Sequence, residues 1–497
     1  MSKSNPPFNL AAAAHAEMLR RGFHPDFSPA IAAQTEQIRQ QSQARLASPR
    51  EDLRQLLWSS IDNDTSRDLD QIEWAERTEK GIRVLVAIAD VDSAVTKGSP
   101  IDLHAADQTT SVYTPAIIFP MLPEELSTDL TSLAENQDRG AIVIEFVVLT
   151  PSPAADCGCK FEDVVTSPRI YRALVHNRAQ LAYDATSAWL DNPSAASPKI
   201  AASADLQAQL RLQDEAAQIL RQHRILCGAL DFDRIEPQAQ VTDGQVTSLD
   251  PHRKGRANDL IEDFMIAANE VMARSLSAAN RSSIRRVVRV PKRWDRIVSL
   301  AADLGTTLPT EPDSAALNDF LELQHKKDPL RYPDLSLAVI KLMGPGIYVL
   351  SDSSTPEQGH FGLAATDYTH STAPNRRYAD VIIQRVIKAQ LDNVTPPYSD
   401  GELDTIAQHC TEMEDAAKKV ERTTLKMAAA LSLRNQIGQS FDGIVTGASD
   451  KGTYVRLINP LVEGRVMQGA AGMDVGDEVT VKLLRVNPER GFIDFAH

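Results

Sequence analysis

Residues 61–71 read Ile-Asp-Asn-Asp-Thr-Ser-Arg-Asp-Leu-Asp-Gln, which places four carboxylates within nine residues: Asp62, Asp64, Asp68 and Asp70. The apolar run 84–89 follows shortly after and is typical of a buried strand. Like charges this close repel one another unless a cation neutralises them, and a hard divalent cation such as Mg²⁺ prefers oxygen ligands. Because carboxylate-held cations that stay partly open to water are typical of phosphoryl-transfer enzymes, the stretch indicates metal-dependent chemistry.

Two other interpretations of the acidic stretch are open. A run of Asp at a turn is often only a solvated loop whose side chains hydrogen-bond the backbone. A calcium loop of the EF-hand type is the second, since oxygen-bearing side chains occupy positions 1, 3, 5, 9 and 12 counted from Asp62. However, that loop needs Gly at position 6, where this chain has Arg67, and no convincing helix precedes it.

The composition, with 42% hydrophobic and 24% charged residues in 497, is typical of a soluble globular protein of two to four domains. No apolar run approaches the roughly 20 residues of a membrane span, and the N-terminus lacks a signal-peptide pattern. Of the four cysteines, Cys157 and Cys159 have no matching second pair for zinc. We therefore expect a cytoplasmic protein with reduced thiols and no membrane partner.

The net charge of −15 argues against indiscriminate binding to nucleic acid, because the field of the whole molecule repels a polyanion. It does not exclude a local basic channel. Seven Lys and Arg residues lie between positions 281 and 296 against the single acid Asp295, and a second basic cluster spans 253–256. Such runs are either solvated faces or surfaces that contact phosphate.

The pattern of elements predicts an α+β fold in three parts. Residues 1–50 indicate two short helices, a small helical module for which a helix-turn-helix is one interpretation. Residues 51–436 mix strand patterns, as at 142–149, with helix patterns, as at 260–276 and 378–391. Residues 437–497 contain five short strands separated by Gly turns, which suits an OB-type barrel.

Several motifs resemble a known family. The C-terminal pattern resembles the S1 type of RNA-binding domain, although small barrels also serve as protein-interaction modules. Asp62 followed by Asp68-Leu69-Asp70 looks like the signature of the ribonuclease II (RNB) family of exoribonucleases. Further similar blocks follow in order at 111–115, 119–123, 260–269, 360–363 and 372–380.

The resemblance implies a processive, Mg²⁺-dependent exoribonuclease that hydrolyses single-stranded RNA from 3′ to 5′ and releases nucleoside 5′-monophosphates. By motif position, the metal ligands would be Asp62, Asp68, Asp70 and Gln71, and Mn²⁺ could replace Mg²⁺. Asp68, Asp70 and Arg376 would be catalytic. Arg376 follows Ala373-Pro374 near a helix start, where a guanidinium and free backbone N–H groups would clamp phosphate; the alternative is pairing with a surface acid.

The same resemblance implies RNA contacts. Tyr113 would stack on the terminal base and Phe232 on its opposite face, with core packing as the alternative for Phe232. Glu262 would lie near the last ribose, where a carboxylate accepts from a 2′-OH. Glu421 would lie close to RNA, unless it forms a helix-surface ion pair. We expect no small-molecule cofactor and favour a monomer.

Two departures from the family pattern matter. The first 50 residues are too short for the paired cold-shock barrels that many members carry. The family motif ends in two adjacent Asp, whereas this chain has Gln71 at the second position. The alternative function is therefore a catalytically weak RNA-binding or regulatory protein that keeps the RNA channel. A phosphodiesterase acting on another substrate is a third possibility.

Overall fold

The structure is a computed structural model that describes residues 8–42, 50–150, 159–232, 235–242, 245–352, 359–449 and 452–497. Cys157, singled out above, lies outside these residues. In the described part of the chain, no helix combines the length and the apolar character needed to cross a membrane.

The helices of these ranges, in chain order, are α1 (Leu10–Arg20), α2 (Pro29–Gln40), α3 (Pro100–Gln108), α4 (Tyr183–Asp191), α5 (Pro198–Ala201), α6 (Ala204–Leu226), α7 (Arg256–Ala278), α8 (Trp294–Asp303), α9 (Ser314–Lys327), α10 (Tyr332–Met343), α11 (Tyr378–Leu391) and α12 (Asp400–Ser432). The strands are β1 (Glu51–Asp52), β2 (Trp58–Asp62), β3 (Gln71–Thr78), β4 (Gly81–Ala89), β5 (Val112–Tyr113), β6 (Ile118–Phe119), β7 (Asp138–Leu149), β8 (Val165–Ala182), β9 (Ile235–Thr242), β10 (Gln245–Arg253), β11 (Ser283–Val287), β12 (Ile347–Ser351), β13 (Ser440–Ser449), β14 (Gly452–Leu457), β15 (Glu463–Gln468), β16 (Glu478–Asn487) and β17 (Phe492–Ala496).

The central sheet has six strands in the order β1-β8-β2-β3-β4-β7. The long strand β8 pairs with β7 along its first part and with β2 along its last residues, so one strand joins the two sides of the sheet. Strand β4 is buried on both faces, which explains its near-continuous apolar sequence. Helices α6 and α7 cover the sheet, and the predicted strands and helices of this region are confirmed.

The two N-terminal helices pack on the rest of the chain. Met18 of α1 and the following Phe23 share an apolar cluster with Met413 of α12. Ile31 and Ile38 of α2 join the core of the central sheet. The boundary at residue 50 stays a prediction.

The C-terminal strands form a closed barrel in the order β13-β14-β15-β17-β16, which confirms the predicted five-stranded OB-type domain. Helix α12 connects this barrel to the central region. Its start is fixed by a capping box in which Ser399 and Glu402 each bond the other's backbone N–H. Near its end, Ala428 and Leu431 share the core of the barrel. The mixed α+β class is thereby confirmed.

Candidate active site

The acidic stretch is a loop between two strands of the central sheet. Asp62 ends β2, and Gln71 begins β3. A strand therefore precedes and follows the loop, and the calcium loop of EF-hand type is wrong because that motif needs a helix on each side.

Asp70 is the most deeply buried carboxylate of the loop, with 2% of its surface exposed. Its Oδ1 accepts a hydrogen bond of 2.9 Å from the backbone N–H of Asn375. Its Oδ2 accepts none from the described residues and lies 3.5 Å from Nε of Arg376. Burial raises the pKa of Asp70 to about 7, although Arg376 and the Asn375 N–H oppose that shift.

Asp62 and Asp68 lie closer to solvent. Asp62 Oδ1 accepts hydrogen bonds from the Asn63 backbone N–H at 2.7 Å and the Ser66 hydroxyl at 2.8 Å. Burial raises the pKa of Asp62 and the nearby charge of Asp68 adds to the rise, while those hydrogen bonds and Arg376 lower it. The loop therefore gathers negative charge around Arg376.

The carboxylate oxygens of this loop are hard donors, and Asp70 Oδ2 is buried and accepts no hydrogen bond from the described residues. Such a donor set fits a divalent cation. Over the described residues, however, no three His, Cys, Asp or Glu side chains form a group able to hold a metal ion. Mg²⁺ is usually held by one or two carboxylates together with water and substrate phosphates, so the donor set still suits it. Gln71 is 7% exposed at the start of β3, and its part in metal binding stays a prediction.

Arg376 lies in the turn before α11, and 45% of its side chain is exposed. The prediction that backbone N–H groups around Arg376 are free is wrong. The N–H of Asn375 donates to Asp70, those of Arg376 and Arg377 donate to Ala373 O, and that of Tyr378 donates to Thr109 O. Any anion bound here therefore relies on the guanidinium.

Tyr113 connects the acidic loop to helix α12. Its hydroxyl donates to Asp68 Oδ2 at 3.2 Å, and its backbone N–H donates to Glu421 Oε1 at 3.3 Å. The ring is 39% exposed, so a face remains open. Tyr113, Arg376 and Glu421 line one cavity of about 230 Å³.

Phe232 and Glu262 lie in a second, larger cavity of about 900 Å³. Lys418 of α12 lines both cavities, which places them side by side along that helix. Phe232 is half-buried and also packs against the apolar cluster around Phe320, so it contributes to core packing, and its stacking on a base stays a prediction. The structure thus divides the predicted RNA contacts into two neighbouring groups.

Glu262 is paired within its cavity. Lys254 Nζ donates to Glu262 Oε2 at 2.8 Å, and although burial acts in the opposite direction, Lys254 and nearby arginines lower the pKa of Glu262. Glu262 is therefore an ionised acceptor near neutral pH.

The basic runs serve mixed purposes. Arg285 is buried and donates to Ala273 O at 2.7 Å, and Arg286 binds the Glu414 carboxylate through two nitrogens at 2.5 and 2.8 Å. Arg289 and Lys292 instead line a cavity of about 780 Å³. Two of the seven basic side chains of this run, Arg285 and Arg286, are therefore internal structure.

Two site residues escaped the sequence analysis. Tyr183 begins α4 directly after Ala182, which pairs with Asp62, and the charges of Asp62, Arg376 and Glu262 all act on its hydroxyl. Glu73 is fully buried on β3, and neither carboxylate oxygen has a hydrogen-bond partner among the described residues. Tyr183 and Glu73 lie near the acidic loop only because β2 pairs with β8 and β3, and no local sequence pattern predicts that pairing.

Comparison with known proteins gives the family. The profile of the RNB domain matches residues 50–393, and that of the RNase II-type exonuclease C-terminal S1 domain matches residues 439–497. Ribonuclease R 1 of Lactococcus lactis is 29% identical over 480 residues, covering 90% of this chain and 56% of that protein. Ribonuclease R of Aquifex aeolicus is 28% identical over 481 residues, covering 90% and 64%.

Among solved structures, Mycoplasma genitalium RNase R in complex with ribose methylated single-stranded RNA superimposes with a TM-score of 0.86 at 22% identity, covering 98% of this chain and 78% of that chain. This likeness shows a shared fold. The chain spans 56% and 64% of the length of the two curated relatives named above. With an RNB profile matched over 50–393 and an S1 profile after it, the chain belongs to the RNB family.

Proposed function

We propose that this protein is an exoribonuclease that hydrolyses single-stranded RNA from the 3′ end and releases nucleoside 5′-monophosphates with the help of Mg²⁺. The observation that carries the proposal is the contact between Asp70 and Arg376. A buried carboxylate with one oxygen that accepts no hydrogen bond lies 3.5 Å from a half-exposed guanidinium, beside a cavity of about 230 Å³ that Tyr113 also lines. The names of the relatives agree with this activity.

The phosphate contact would come from Arg376. Its Nε faces Asp70, and no described residue accepts a hydrogen bond from its two terminal nitrogens. Those nitrogens can bind two phosphate oxygens at once, which fixes the orientation of the scissile group. Asp70 in turn holds the guanidinium and, through Asn375, the turn that carries it.

Binding of the 3′-terminal nucleotides would rest on stacking. The open face of Tyr113 accepts any base, which suits an enzyme that digests every sequence. The hydrogen bond from its hydroxyl to Asp68 fixes both the ring and that carboxylate. Phe232 offers a second apolar surface, and the ionised Glu262 beside it can accept from a ribose 2′-OH.

The cation would be held by Asp62, Asp68 and Asp70. When bound there, Mg²⁺ supplies charge stabilisation and lowers the pKa of a coordinated water. Since no three His, Cys, Asp or Glu side chains of the described residues form a group that could hold a metal ion by themselves, RNA phosphate would complete the ligand set, and cation and RNA would then bind cooperatively.

The C-terminal barrel would add affinity for upstream RNA. Tyr454 on β14 and Phe492 on β17 expose 37% and 56% of their surface, as stacking platforms do. The barrel is docked on the central region, since Arg456 binds the Asp334 carboxylate with both donors, at 3.1 and 2.7 Å.

The test is digestion of a 5′-labelled, unstructured RNA with Mg²⁺, with an EDTA sample and Asp70→Asn as controls. We expect a ladder of shortened products in the first sample only. An intact RNA that nevertheless migrates as a protein complex would contradict the proposal and favour the RNA-binding alternative. Digestion by Asp70→Asn at the rate of the unaltered protein would show that Asp70 is not catalytic.

A further inference from the structure

A cavity of about 280 Å³ lies beside α6 and α7, and none of the residues that line it lines the larger nucleotide cavity. Helix α6 contributes His223 and, just past its end, Cys227, and the segment after residue 158 contributes Cys159. Both cysteines carry thiols in the structure. The proposed ribonuclease reaction uses none of these three side chains.

Cys227 lies beside a base. His223 and Cys227 are one helical turn apart, and His223 Nε2 is 3.8 Å from Cys227 Sγ. Burial lowers the pKa of His223, so its imidazole is neutral at pH 7 and can accept the thiol proton. A thiol whose proton has such an acceptor forms the nucleophilic thiolate more readily.

Cys159 lies on the same wall of the cavity. Its Sγ is 3.9 Å from the carbonyl oxygen of Leu226, the residue before Cys227. Standard peptide geometry places that Sγ within about 7 Å of the Cα of Cys227. Cys159 is exposed, so small oxidants and reductants reach it. Closing a disulfide would bring the Cα atoms of Cys159 and Cys227 to about 4.4–6.8 Å from each other.

A structural metal ion is the other occupant that cysteine and histidine suggest. A closed zinc site needs four ligands, and the described residues contain no group of three His, Cys, Asp or Glu able to hold a metal. Two thiols that line one cavity, with a base beside one of them, favour redox chemistry instead.

We propose that Cys159 and Cys227 are a redox modification site that closes to a disulfide when the protein meets hydrogen peroxide and reopens with thiol reductants. Cys227 gives its proton to His223, and the thiolate attacks one peroxide oxygen, so that an S–O bond forms and the O–O bond breaks. The departing hydroxide takes the proton from the imidazolium and leaves as water. The thiol sulfur of Cys159 then attacks the sulfenic acid, the S–S bond forms, the S–O bond breaks, and a second water leaves with the Cys159 proton.

The modification acts on a segment that leads to the larger nucleotide cavity. Cys227 and Gly228 turn the chain from α6 into the stretch that carries Phe232, and Leu230 is held there by a 2.9 Å hydrogen bond to Gly362 O. A bridge to Cys159 closes a loop of about 70 residues, which restricts the unfolded chain and raises the melting temperature.

Cys410 offers a built-in control. It is buried in α12, and burial raises the pKa of its thiol to about 12, so it should stay reduced.

The experiment treats the full-length protein with hydrogen peroxide, alkylates the remaining thiols and identifies linked peptides by mass spectrometry without reduction. We expect a peptide pair joining Cys159 to Cys227, a higher melting temperature, and loss of both with dithiothreitol. Cys159→Ser and Cys227→Ser should abolish the link, and Cys157→Ser and Cys410→Ser should keep it. His223→Ala should slow its formation severalfold at pH 7 and much less at pH 9, where thiols ionise unaided.

Three outcomes would overturn the proposal. The first is no intramolecular link at peroxide concentrations that oxidise exposed thiols. The second is a link made through Cys157 or Cys410 in place of Cys159. The third is stoichiometric zinc in the purified protein that protects the thiols and is lost in Cys227→Ser, which would make the cluster a metal site. None of these readouts depends on ribonuclease activity.

Discussion

Replacing Arg376 tests the proposed phosphate clamp with a magnitude that follows from the structure. Its two terminal nitrogens are open to a ligand, and each hydrogen bond between charged groups contributes about 1.5–3 kcal/mol. Losing both costs roughly 3–6 kcal/mol, so Arg376→Ala should lower kcat/KM by roughly 10²- to 10⁴-fold. Arg376→Lys keeps the charge but loses the two parallel donors of the guanidinium, and it should lower kcat/KM by roughly 10- to 10²-fold.

Neither variant should unfold the protein. The Asp70 contact is made at 3.5 Å by a side chain that is 45% exposed, and Asp70, whose pKa burial raises to about 7, can bind a proton when the Arg376 charge is removed. The turn itself is held by its backbone, since the Arg376 carbonyl accepts from the Ser111 N–H at 3.0 Å. Melting temperatures should therefore stay close to that of the unaltered protein.

The assay is single-turnover hydrolysis of a 5′-labelled oligonucleotide, with Arg39→Ala as the matched loss of an exposed charge on α2. Arg39→Ala should retain the original rate. If Arg376→Ala hydrolyses RNA within a few-fold of the unaltered rate, or if Arg376→Lys reaches the full rate, the proposed contact of both Arg376 terminal nitrogens with phosphate is wrong.

Asp70→Asn should retain RNA affinity in EDTA within about threefold, measured by fluorescence anisotropy, while hydrolysis with Mg²⁺ falls below detection; a lost affinity would make Asp70 a structural residue. Gln71→Asp adds one negative charge and should lower the Mg²⁺ concentration for half-maximal rate; an unchanged titration would mean that position 71 is not a ligand. Glu262→Gln should shrink the preference for RNA over a 2′-deoxy 3′ end by about tenfold, and an unaltered ratio of rates would exclude its contact with the ribose. Burial raises the pKa of Glu270 from 4.5 to about 8, so the folded state holds a proton that the unfolded chain releases, and stability falls as pH rises through this window. Between pH 6 and 8 the loss from this group is about 2 kcal/mol, so urea unfolding of Glu270→Gln should show a flatter pH dependence than the unaltered protein; equal slopes would refute it.

The sequence predicted those features that local patterns encode. The apolar run of β4 predicts a strand buried on both faces. The glycines between the short strand patterns near the C-terminus predict the turns of the barrel. The assignment of Asp70 and Arg376 to one site followed from resemblance, because a separation of 305 residues between Asp70 and Asn375, whose backbone N–H it accepts from, leaves no local pattern that joins them. The sequence therefore predicted the strands and helices, whereas the prediction of which distant residues form one site came from the family resemblance.

Other features depend on tertiary contacts that no local pattern carries. Tyr183 reaches the acidic loop because β8 runs beside β2. Cys159 Sγ lies 3.9 Å from the carbonyl oxygen of Leu226, the residue before Cys227, although 67 residues separate Cys159 from Leu226 in the sequence. The backbone N–H groups near Arg376 looked available because a helix starts there, but Asp70, Ala373 and Thr109 accept from them. Whether a backbone N–H is free to bind a ligand depends on hydrogen-bond acceptors that are distant in sequence, and only the folded structure shows those acceptors.

The most direct test of the central claim compares a linear RNA with its circularised form in ¹⁸O-labelled water. We predict that the linear RNA loses nucleotides from its 3′ end, that the products are nucleoside 5′-monophosphates carrying one ¹⁸O on the phosphate, and that the circle stays intact. Cleavage of the circle at a similar rate, or products with a 3′-phosphate, would contradict the account.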